Sequence, residues 1–171
     1  MRQILGALAV PALVFAALSA APAAAADKDF KADLEGFQEV PAVSSPASGE
    51  FTARLSNDET MIEYSLTYSG LEDVVRQAHI HFGQHGVNGG IVVFLCQTGT
   101  NPDPTGLAPT CPQAGTATGV LTVSNMTNSA AGQGIAAGDF AELIRALRGG
   151  VAYANVHSTK FPGGELRGQI K

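Results

Sequence analysis

The sequence predicts an all-β fold, a Greek-key β-sandwich or barrel with one short α-helix near residues 139–148. Three observations lead there. Apolar residues recur at every second position in short runs, Gly, Pro, Asn and Asp separate those runs, and a single segment changes to helical spacing. In chain order, "FKADLE" sets Phe30, Ala32 and Leu34 on one face. "GEFTARLS" does so with Phe51, Ala53 and Leu55, and "MIEYSLTYS" with Ile62, Tyr64, Leu66 and Tyr68. "QAHIHF", the apolar run "GIVVFL", "GVLTV", "VAYANVH" and "GELRGQI" follow, which makes seven or eight strands. No repeat with a period of about 20–50 residues is visible. In "GDFAELIRALRGG", Phe140, Leu143, Ile144 and Leu147 recur at i, i+3, i+4 and i+7, the stripe of a half-buried helix. Asp139 stands as its N-cap with Glu142 three residues on, a variant of the capping box, and Gly149 as its C′ glycine.

The first residues have the form of a secretory signal peptide, expected to span 1–26. One cation, Arg2, precedes an apolar run from Ile4 to about Leu18, and Ala24 and Ala26 fit an A-x-A cleavage site before Asp27. A retained anchor fits less well, because the apolar run is short for a span and no basic flank follows it. The mature chain would then be a single domain, 27–171, of 171 − 26 = 145 residues, with no membrane span after cleavage. Without Arg2 it carries 9 Lys+Arg against 15 Asp+Glu, a formal net charge of −6. An acidic chain without a basic cluster is a poor match for phosphate backbones, so nucleic acid is excluded as a partner.

The two cysteines, Cys96 and Cys111, both fall in the exported part. An isolated pair in an oxidising compartment reads as a disulfide, here closing the Pro/Gly/Thr-rich stretch "QTGTNPDPTGLAPT". Such a bridge stabilises by on the order of 3 kcal/mol. A thiolate metal site has neither the reduced sulfur nor the spacing it requires.

"QAHIHFGQHGVNGG" holds three of the four histidines; the fourth is in "YANVHSTKFPGGELRGQI". Side chains at i and i+2 of a strand share a face, so His79 and His81 project together, opposite Ala78, Ile80 and Phe82. His157 lies opposite Val156, Ala154 and Ala152 in the same way. All three imidazoles are expected on the non-core face, under or beside loops that a ligand can reach. His-x-His plus a third histidine from a neighbouring strand is a competent three-nitrogen site for copper or zinc. His85, in the turn after β-strand "QAHIHF", is a candidate fourth ligand. The competing reading gives each ring one structural hydrogen bond. No G-x-S-x-G elbow, Walker loop or H-E-x-x-H is present, and Ser158 points away from His157. "NMT" at Asn125 is a formal glycosylation acceptor.

"LEGFQEVPAVSSPASGEFTARL", "AHIHFGQHGVNGGIVVFL", a helix ending "IRALRGG" and "AYANVHSTKFPGGELRGQI", in that order, resemble the CHRD domain, first named from chordin. The resemblance runs from about Leu34 to Ile170, in one copy. It implies an extracellular or periplasmic β-rich module, with no enzymatic activity established for the family as a whole. The His-x-His strand, later histidine and terminal "GELRGQI" are more loosely similar to the copper,zinc superoxide dismutase sandwich. That similarity implies copper-type ligands at His79, His81 and His157, a bridging or second ligand at His85, and an anion-guiding cation at Arg167. "FGQHGVNGG" lacks the histidines and aspartate of a zinc subsite, which argues against a two-metal dismutase. Glu39, Glu165 and Arg167 read first as a structural Glu–Arg pair tying terminal strands together.

Two functions follow. The first is a secreted or periplasmic, non-enzymatic binding or structural module, metal-binding through copper or zinc, with an extracellular or periplasmic ligand of unspecified chemistry. The second is a copper-binding protein with superoxide dismutase-like activity.

Overall fold

The computed structural model describes residues 28–171, so the expected leader lies outside the described residues. Eight strands form one sheet: β1 Asp29–Glu35, β2 Ser48–Leu55, β3 Ile62–Ser69, β4 Val75–Phe82, β5 Gly90–Cys96, β6 Gly115–Leu121, β7 Ala152–Ser158 and β8 Leu166–Gln169. Their order across the sheet is β5-β4-β7-β8-β1-β2-β3-β6, and every neighbouring pair is antiparallel. The sheet curls until its two ends nearly meet, where Val93 bridges Met126. This is the expected nearly closed sandwich or barrel, and it hides edges that would otherwise invite aggregation.

The inward-facing residues are those read from the alternation. Phe30, Leu34, Phe51, Leu55, Ile62 and Leu66 are all buried. The helix, α1 Phe140–Arg148, caps this core with Phe140, Leu143, Ile144 and Leu147. Its ends differ from the expectation. Asp139 makes no capping bond to the helix; its carboxylate accepts from the Ala136 N–H instead, and Glu142 pairs with Arg145. Gly149 keeps a right-handed φ of −79°, and the left-handed position is Gly150 at 63°. Gly150 N–H donates to the Leu147 carbonyl and Val151 N–H to that of Ala146, a Schellman ending displaced by one residue.

β6 also differs, beginning at Gly115 and stopping before "TV". Thr122 Oγ1 accepts from the Ser124 N–H, and Asn125 Oδ1 from the Thr122 N–H, so local side chains replace the ladder with a single 3-10 turn. Asn125 is buried in that turn. Cys96 and Cys111 form the expected disulfide, Cα atoms 4.9 Å apart.

Candidate metal centre

β4 and β7 lie side by side, with His79 opposite Asn155, His81 opposite Tyr153 and Gln77 opposite His157. His157 is therefore the diagonal neighbour of His79, close enough for long side chains on one face to meet. Against β5, the ladder of β4 shifts register between Ala78 and His79 and again between Ile80 and His81. Irregularities of this kind re-aim side chains, and here they fall beside both histidines.

The three rings converge. His79 Nδ1 is 3.2 Å from His157 Nε2, and one nitrogen from each of His79, His81 and His157 lies within 4.8 Å of the others. Among the described residues this is the one such group of three metal-ligating side chains. Three nitrogens each about 2.0–2.1 Å from one zinc-type ion stand roughly 3.3–3.6 Å apart, so the widest pair of the trio has to close by about an ångström.

The expectation that a ligand reaches these rings from solvent does not hold. His79 is 0 %, His157 6 % and His81 8 % exposed, because the residues after β1, β4 and β7 fold over this face of the sheet. Burial is the main reason that all three imidazoles are neutral at pH 7. It pushes His81 and His157 down to about 4 and His79 well below its ordinary range. For His79 the neighbouring imidazoles add to the effect. Arg167 adds to it for His81, and Arg76 for His157.

Neutral rings have definite tautomers here. His81 Nδ1 lies 2.9 Å from the Gly89 carbonyl and His157 Nδ1 3.1 Å from that of Pro162, so both Nδ1 atoms carry the proton and donate it. His157 Nε2 is then a lone pair that accepts from His79 Nδ1–H. That leaves His79 Nε2 and His81 Nε2 as buried lone pairs, and neither has a hydrogen-bond partner among the described residues. At His81 a carbonyl holds Nδ1 while Nε2 stays bare, the arrangement that orients metal-binding histidines. At His157 a carbonyl also holds Nδ1, but Nε2 is taken by His79, a bond that an ion sharing the trio has to displace. Glycine makes one of those carbonyls available: a Cβ on Gly89 would run into the Phe82 carbonyl.

A wider buried polar layer surrounds the trio. His81 stacks on Tyr153 (centroids 4.7 Å apart, planes 2° from parallel), and the Arg167 guanidinium lies 3.5 Å from the centre of the Tyr153 ring. Arg167 donates to Asn88 Oδ1 and to the carbonyls of Gln84 and Val87, pinning the turn that supplies Gly89. It is 1 % exposed, so it cannot meet anions at the surface as a guiding cation would. The expected Glu–Arg pair is also absent among the described residues. Glu39 instead accepts from Asn155 Nδ2 at 2.5 Å, and Glu165 from Ser45 Oγ and the Glu72 N–H. Burial raises the Glu39 carboxyl to about 7 despite Asn155 and Arg167, which act to lower it. His85 is exposed on the turn, outside the trio.

Sequence reasoning missed Tyr153, Asn155, Asn88 and Phe94. Tyr153 and Asn155 were within reach, since in "VAYANVH" they share the period-two face of His157. Phe94, whose ring meets His79 edge-on at 4.3 Å, follows only from the β4–β5 register, and Asn88 only from the folded turn. A cleft of about 290 Å³ lined in part by Glu39, Pro41, Asn88 and Pro162 opens beside this layer.

No curated protein and no solved structure gives a significant match. The CHRD domain family does match, over residues 30–170, which takes in all eight strands except the first residue of β1, the helix and every residue of the histidine layer. Domains of this family are extracellular-type binding modules, generally found in secreted or extracellular proteins, and no described helix is long and apolar enough to cross a membrane. This chain belongs to the CHRD domain family.

Proposed function

We propose that the chain is an exported, non-enzymatic CHRD module that binds one metal ion, copper or zinc, through His79, His81 and His157. The observation that carries this reading is the pair of partnerless buried Nε2 atoms beside a third imidazole. A buried polar atom without a partner costs about 1–3 kcal/mol, and a cation shared by the rings would turn that cost into binding. The leader "MRQILGALAVPALVFAALSAAPAAAA" and the disulfide both favour a secreted or periplasmic location. N-terminal sequencing of exported protein should read Asp27 first.

A dismutase has less support. Superoxide has to reach the metal, and these rings are enclosed, with Arg167 turned inward against Tyr153.

The test is stoichiometry. Metal-stripped mature protein should retain about one equivalent of copper or zinc, as three converging histidines demand. Retention no greater than that of the H79A/H81A double variant would leave a purely structural or partner-binding module.

A further inference from the structure

We infer that the His79–His81–His157 centre selects a monovalent d10 ion, copper(I), over zinc(II) and copper(II). The inference rests on the reading that these three histidines bind a metal.

The first argument is charge. The donors are three neutral imidazoles, and the group contains no carboxylate. Thiolates are not on offer either, because both cysteines are in the disulfide and none is free. The cost of burying an ion rises with the square of its charge, so a divalent ion costs about four times as much as a monovalent one in the same enclosure. A neighbouring charge makes the difference larger. The Arg167 guanidinium lies 3.5 Å from the centre of the Tyr153 ring that stacks on His81, and its charge opposes added positive charge there. Glu39, the acid of this layer, is committed to Asn155.

The second argument is coordination number. Structural zinc takes four ligands in a tetrahedron, catalytic zinc adds a water to three, and copper(II) prefers tetragonal sets. Here aromatic rings stand against two of the three histidines. The Phe94 ring closes on His79 at 4.3 Å and the Tyr153 ring covers a face of His81 at 4.7 Å. The nearest extra histidine in sequence, His85, is exposed on the turn. A three-nitrogen set with rings against two of its members suits an ion content with three ligands. The filled d shell separates copper(I) from copper(II), while charge and ligand number separate it from zinc(II), which is also d10.

The experiment uses metal-stripped mature protein with its disulfide intact. Copper(I), kept reduced by ascorbate without air, is titrated against a chromophoric chelator; zinc(II) and copper(II) are titrated separately against chelators of known affinity. X-ray absorption of the copper(I) form reports oxidation state and ligand number. The expected result is one equivalent of copper(I) with three nitrogen ligands, bound at least about tenfold more tightly than either divalent ion, a preference absent from H79A/H81A. Circular dichroism establishes that the variant is folded, and the wild-type preference ratio stands without it. Zinc(II) or copper(II) bound in a histidine-dependent way within tenfold of copper(I) overturns the inference and leaves the metal site standing. Copper(I) held equally by H79A/H81A overturns it too. Binding of none of the three ions removes both the inference and the site.

Discussion

The two halves of the sheet use their outer faces in opposite ways. In β2 and β3, buried and exposed residues alternate, with Phe51 and Leu66 inside and Thr52 and Thr67 in water. In β7 all seven residues are buried, and most of β4 is as well. Both halves have the same period-two pattern of side chains. The difference is what lies on the second face: no other described segment over β2–β3, and the folded turns over β4, β7 and β8. An outward-facing polar side chain in the first half is solvated. In the second it has to find a partner inside the protein, and two imidazole nitrogens have not.

Acid should break the contrast most strongly. His81 and His157 titrate near 4 in the folded chain and near 6.5 when unfolded. The unfolded state therefore binds more protons between those values, and metal-free protein loses stability as pH falls from about 6.5 to 4. Each ring contributes on the order of 3 kcal/mol to that loss, and His79 adds in the same direction. Glu39 works against them over part of the range. Its raised pKa of about 7 means that stability present below 4.5 is lost as pH rises through 7. One carboxyl against three imidazoles leaves a net loss on acidification. Denaturant midpoints taken between pH 4 and 8 check the sign; a flat profile would show the covered face to be wet.

Two outward-facing arginines give the next comparison. Arg167→Met on β8 removes the donors to the Val87 carbonyl and Asn88 Oδ1 and loosens the turn that holds His81. The expected cost is about 1–3 kcal/mol for each buried acceptor left without its donor, together with weakened metal retention. Glu39→Gln has a smaller effect of opposite sign. A neutral amide can keep the Asn155 bond without a buried charge, so the variant should gain stability relative to wild type above pH 7 and match it near pH 4.5. Arg54→Ala on β2 removes only an exposed ion pair to Asp29 and should leave the thermal midpoint within error. If Arg54 and Arg167 proved equally costly, the distinction between the two faces would fall.

How much of this was legible depends on the half. Where one face meets water, alternation in "GEFTARLS" and "MIEYSLTYS" shows the core side directly, and the observed burial follows it. In "VAYANVH" the alternation is between small apolar and polar residues, and both classes turn out buried. The pattern identified the faces correctly, but it carries no information about a cover made by turns distant in sequence.

The sequence by itself determined the all-β class, a count of seven or eight strands, the apolar stripe of the helix, the pairing of the two cysteines and the common face of His79 and His81. Each follows from local periodicity or from elimination within a short list. Tertiary structure alone decided that β7 lies against β4 with His157 diagonal to His79, that irregular pairing with β5 brings Phe94 to the trio, and that Arg167 serves the turn rather than a glutamate. It also left His85 outside and enclosed the three rings. The reason is physical: a strand's period fixes the direction of a side chain, while its neighbours and its cover come from pairings some 75 residues apart, here Ile80 with Ala154, whose register is set by the packing of the whole sheet.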